Sequence, residues 1–83
     1  MQTQEIRDLI AAGIPGCRVE VSGDGTHFEA VVISEQFAGK TPVQRHQAVY
    51  RTLGSRMGGE VHALSMQTYT PEEWEQRKDL RVL

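Results

Sequence analysis

His27, His46, His62 and Cys17 are the residues of this 83-residue chain whose side chains suit metal binding or proton transfer near neutral pH. Their spacing forms no self-sufficient site. The chain has no Cys-x-x-Cys pair, no phosphate-cradling loop and no Ser–His–Asp set in a plausible context. Glu60 beside His62 is a lone carboxylate, which is not a mechanism. Each of the four residues also has a structural reading. His62 falls at a strand start, where backbone groups can satisfy it, and His27 falls in an exposed loop. His46 lies on the apolar stripe of a helix, and Cys17 alternates with Val19 and Val21 as a partly buried small hydrophobe.

Cationic side chains are the second group with chemical potential. Lys40, Arg45, Arg51 and Arg56 occupy residues 39–58, which contain no acid, for a charge of +4. Residues 1–35 carry six acids against two bases, a charge of −4. That asymmetry leaves open a basic surface for nucleic acid or an acidic partner, although the whole chain is at −2. The plainer reading is a solvated helix face. Aromatic residues are few and sit where a core or cap would use them, so a base-stacking platform is not expected.

The elements that must position these residues follow from periodicity and punctuation. Ile6, Leu9 and Ile10 predict a helix over 3–12, ended by Gly13-Ile14-Pro15-Gly16. Residues 18–22 alternate as a half-buried strand, and 28–34 read as a more apolar central strand. Gly23-Asp24-Gly25 supplies the turn of a short hairpin, with His27 just before the second strand. Thr41, Pro42 and Gln44 form a helix start, and Gly58-Gly59 a stop. Between them Val43, His46, Tyr50, Leu53 and Met57 predict the stripe that faces the sheet. A third strand is expected over 61–69, with His62, Leu64, Met66 and Thr68 on one face. Thr70 and Glu73 repeat the capping signature before a short helix carrying Trp74 to about Lys78, with 79–83 expected to fray. The order αββαβα predicts an α/β (α+β) two-layer sandwich. Its sheet has three strands and is mixed: an antiparallel hairpin, and a third strand returned by a helical crossover.

Hydrophobic residues at 39% and charged residues at 24% fit one globular domain over 1–83, with its core in 3–78. So small a domain spares few residues for an enclosed substrate pocket. A single cysteine allows no internal disulfide, and the N-terminus lacks the basic and apolar regions of a signal peptide. The expectation is a cytoplasmic protein, with no membrane span and a monomer or weak homodimer when alone.

Three ordered motifs carry a resemblance over about residues 3–78. Val21-Ser22-Gly23-Asp24-Gly25-Thr26-His27-Phe28 resembles the first hairpin of BolA-like proteins. Phe37-Ala38-Gly39-Lys40, leading into Val43-Gln44-Arg45-His46-Gln47-Ala48-Val49-Tyr50, resembles the family's R-H-x-x-V-Y region. Val61-His62-Ala63-Leu64-Ser65-Met66, leading into Thr70-Pro71-Glu72-Glu73-Trp74, resembles its close. The chain looks most similar to the short bacterial IbaG-like branch.

The resemblance implies a fold like the type II KH domain and no enzymatic activity. It implies an adaptor that binds a monothiol glutaredoxin with a CGFS motif and shares a [2Fe–2S] cluster with it and glutathione, but holds none when isolated. His62 matches the family's cluster-ligand histidine, and His27 is the hairpin-loop candidate for a second ligand. Imidazole nitrogen can replace a cysteine sulfur on one iron of such a cluster. A ligating ring must be deprotonated, which makes binding pH-sensitive. Cys17 matches no family ligand position. The alternative implied is a DNA-binding, stress-linked transcriptional regulator using Lys40, Arg45, Arg51 and Arg56. A KH domain proper clamps its strand with a GXXG loop between helices, whereas Gly13-Ile14-Pro15-Gly16 precedes a strand.

Overall fold

The structure, a computed structural model, describes residues 2–24, 26–54 and 64–82, with side chains to residue 77. The elements are α1 (Thr3–Gly13), β1 (Arg18–Gly23), β2 (Phe28–Ile33), α2 (Pro42–Leu53), β3 (Leu64–Tyr69) and α3 (Pro71–Val82), with a 3-10 turn at Glu35–Phe37. The expected αββαβα order holds. The sheet order is β1-β2-β3, with β1 antiparallel to β2 and β3 parallel to it.

Register separates the sheet into two faces. Val19, Val32 and Thr68 form one row; Val21, Ala30 and Met66 form another. These rows point to the helices, and Leu64 and Met66 pack against the buried cluster. Arg18, Ile33 and Tyr69 lie in a row on the opposite face, as do Glu20, Val31 and Gln67. Ile6 and Ile10 of α1 are fully buried against the first face. Each such side chain contributes about 1.5–3 kcal/mol by leaving water.

Helix starts obey their sequence signals. Thr41 Oγ1 accepts from Gln44 N at 3.2 Å, and Gln44 Oε1 accepts from Thr41 N at 3.0 Å. At α3, Thr70 Oγ1 accepts from Glu73 N at 3.2 Å, and Glu73 Oε1 accepts from Thr70 N at 2.8 Å. Both capping boxes satisfy amides that a helix start leaves without partners.

Three expectations need correction. The buried face of α2 is set by Val49 and Leu53, while Val43 is 66% exposed and Tyr50 38% exposed. The stripe is rotated because α2 packs on α1 as well as on the sheet, and small side chains permit that contact. Gly13 of α1 lies so close to Thr52 that a Cβ there would overlap it. Second, α2 ends at Leu53, where Gly54 follows at φ +58°, a positive value that glycine adopts without strain. Gly58-Gly59 and Met57 lie outside the described residues. Third, α3 extends to Val82, past the expected end near Lys78. The start of the expected third strand, residues 61–63, lies outside the described residues.

Candidate functional site

The parallel pairing of β2 and β3 decides what meets at one end of the sheet. Phe28 and Leu64 are register partners. His27 is the residue before Phe28, and His62 lies two positions before Leu64 in the sequence. His62 itself is outside the described residues.

The loop that carries His27 is built by Asp24. Its Oδ1 accepts from His27 N at 2.9 Å, Thr26 N at 3.0 Å and Thr26 Oγ1 at 2.9 Å. Asp24 N donates in turn to His27 O at 3.2 Å. The His27 amide, then the Thr26 amide and hydroxyl, stabilise the carboxylate and lower its pKa to about 2. Gly23 completes the loop, since a Cβ at that position would overlap the His27 carbonyl. The imidazole of His27 is exposed and makes no hydrogen bond with the described residues, so its ring nitrogens are available as donors to a metal.

The other candidates lie elsewhere. Cys17 precedes Arg18, which pairs with Ile33, so it sits at the opposite end of the sheet from His27, ~20 Å away along a six-residue strand. Its half-buried thiol lies 4.0 Å from Ile10 O, and burial pushes its pKa up. It packs as a small hydrophobe, away from the hairpin. His46 is half-buried on α2, at the edge of the core. Among the described residues no three His, Cys, Asp or Glu side chains gather as a metal site.

The cations divide. Arg45 Nη1 and Nη2 donate to Glu73 Oε1 and Oε2 at 2.7 and 3.2 Å, and its Nε donates to Lys40 O at 3.1 Å. Its guanidinium also lies 5.9 Å from the Phe37 ring centroid. Arg45 is therefore engaged inside the fold, tying α2 to α3. Glu73 is held below the ordinary carboxylate range, chiefly by that guanidinium and then by the Thr70 amide. Lys40 and Arg51 make no ion pair with described residues; with Gln44, Gln47 and Ala48 they line a shallow groove of about 350 Å³. Arg56 lies outside the described residues.

Two contributors escape the sequence reading. Asp24 was legible only as a turn residue, although Asp followed two positions later by Thr is a signal for side-chain capping of a loop. Glu73 was legible as a cap, but no local pattern announces a partner 28 residues away.

Comparison with known proteins places this arrangement. Residues 11–73 match the family described as BolA-like protein. The acid stress protein IbaG of Escherichia coli is 35% identical over 81 residues, covering 96% of each chain. The DNA-binding transcriptional regulator BolA of Vibrio cholerae is 46% identical over 54 residues, 65% of this chain and 51% of that one. Among solved structures, a BolA homologue from Coxiella burnetii superposes with a TM-score of 0.82 at 47% identity, covering 90% of this chain and 97% of that one. Yeast Fra2 superposes with a TM-score of 0.74 at 32% identity, covering 98% and 91%. With the matched segment spanning both hairpin strands, α2, β3 and the start of α3, the chain belongs to the BolA-like protein family.

Proposed function

We propose that this protein is a non-enzymatic adaptor that docks a monothiol glutaredoxin and shares a [2Fe–2S] cluster with it and glutathione. The observation that supports the reading is the Phe28–Leu64 parallel register, which starts β3 beside the His27 loop, with His62 two positions before Leu64 in the sequence. A [2Fe–2S] cluster accepts imidazole nitrogen in place of cysteine sulfur on one iron. The donor chemistry fits: His27 offers an exposed ring on a loop fixed through its backbone. His62 is the principal ligand and His27 the second. Cluster delivery or iron and redox regulation in the cytoplasm is the role this supports. The test is size-exclusion chromatography, without oxygen, of this protein mixed with a cluster-loaded CGFS glutaredoxin and glutathione. A coloured 1:1 complex is expected; separate elution, with the colour staying on the glutaredoxin, contradicts the proposal.

A second reading, DNA binding, is favoured by one observation: Lys40 and Arg51 line the α2 groove without an ion pair among the described residues. Arg45 adds little, since Glu73 neutralises it. Phosphate contacts release counterions, so affinity must fall with salt, and Lys40→Gln with Arg51→Gln must flatten that slope. No measurable binding at about 50 mM salt sinks this reading.

A further inference from the structure

We infer that Asp24 is the positioning residue for His27, fixing the backbone from which the imidazole extends at the sheet end where a shared cluster would dock; this rests on the proposed cluster-sharing function. Asp24 takes both main-chain polar groups of His27. Its Oδ1 accepts from His27 N at 2.9 Å, and its own N–H donates to His27 O at 3.2 Å. The same oxygen accepts from the Thr26 amide and hydroxyl at 3.0 and 2.9 Å. On one side of the loop the Gly23 backbone lies against the His27 carbonyl, with no room for a side chain. On the other side Phe28 is 3% exposed and anchored in the core.

The backbone of His27 is thus pinned from both directions, although the loop itself is in water. Only the two side-chain torsions of His27 remain to be fixed when a metal binds. A loop histidine without such restraint must be ordered on binding, which weakens the complex. The work falls to Asp24 through its position as an acceptor. Asparagine presents an equivalent Oδ1 to the same donors, so the carboxylate's charge is dispensable. Ordering the backbone of one residue on binding costs about 1–2 kcal/mol, which weakens affinity by roughly 5–30-fold.

The experiment compares wild type, Asp24→Ala, Asp24→Asn, Thr26→Ala and His27→Ala. Amide hydrogen exchange on the isolated protein reads the loop directly: His27 N–H protection is lost in Asp24→Ala and kept in Asp24→Asn. Visible circular dichroism, titrating each variant into a cluster-loaded CGFS glutaredoxin with glutathione, reads the function. The half-saturating concentration is expected to rise about tenfold in Asp24→Ala, less in Thr26→Ala, and to stay near wild type in Asp24→Asn. If Asp24→Ala does not fold, Asp24→Asn carries the test: His27 N–H protection lost in that variant while half-saturation stays at the wild-type value contradicts the inference. A His27→Ala that loses the signal while Asp24→Ala keeps it overturns the positioning role and leaves the cluster function standing. A His27→Ala identical to wild type overturns both His27 ligation and this inference.

Discussion

Phe28 and Leu64 face one another in parallel register at the start of β2 and β3. Antiparallel pairing there would have sent the chain that follows His62 to the far end of β2, beside Ile33. The parallel crossover instead returns it to the hairpin loop. Parallel strands require a long connection, and α2 lies within it, so the crossover that carries this helix also sets Leu64 beside Phe28, next to the His27 loop.

Core phase of α2 is the first point that mutation can check. Val49 is fully buried, whereas Val43 is 66% exposed. Val49→Ala should cost about 2 kcal/mol, and Val43→Gln should stay within about 0.5 kcal/mol of wild type. Thermal unfolding resolves the difference, because 1 kcal/mol shifts the midpoint of so small a domain by about 4–8 °C. The opposite ranking would return the buried face to the Val43 side.

Arg45→Ala removes the bidentate pair with Glu73, the bond to Lys40 O and the contact with Phe37 together. Since Glu73 is 44% exposed on its side chain, solvent screens part of the pair. The expected loss is about 1–2 kcal/mol, read by urea unfolding. No loss would show that α3 is held without this tie.

The same pair fixes a pH dependence. Glu73 has a lowered pKa in the folded state, first through Arg45 and then through the Thr70 amide. A lowered carboxylate contributes stability that is present above its unfolded pKa and fades as pH falls through the folded value. The stability difference between wild type and Arg45→Ala should therefore be full at about pH 6 and shrink as pH falls below about 4. Chemical denaturation at each pH measures it, and a difference that grows on acidification contradicts the assignment.

Gly13→Ala tests the α1–α2 contact. Alanine normally favours a helix over glycine by about 0.5–1 kcal/mol. Here its methyl would overlap Thr52, which is itself braced by a 2.6 Å bond from Thr52 Oγ1 to Val49 O. The substitution should destabilise by about 1–3 kcal/mol, as overpacking does. A rise in melting temperature would show that the helices can separate there at no cost.

Local signals mark the starts of α2 and α3 and the first two strands, where one element decides its own fate. Thr41 with Gln44 and Thr70 with Glu73 announce their helices because capping is a three-residue matter. Val19, Val21 and the run from Phe28 announce strands for the same reason. What the sequence could not convey depends on several elements at once. The phase of α2 is decided by Gly13 on another helix, so apolar Val43 and Tyr50 misled the periodicity. Arg45 reads as a surface cation until Glu73 is brought beside it from α3. His27 reads as a free loop residue until the bonds from Asp24 show its backbone fixed.

Visible circular dichroism of the mixed complex tests the central claim most directly. This protein and its His62→Ala variant are each combined, without oxygen, with a cluster-loaded CGFS glutaredoxin and glutathione. Wild type should change the cluster's spectrum and His62→Ala should leave it as in the glutaredoxin alone. A spectrum that changes identically with both proteins, or with neither, contradicts a cluster shared through His62.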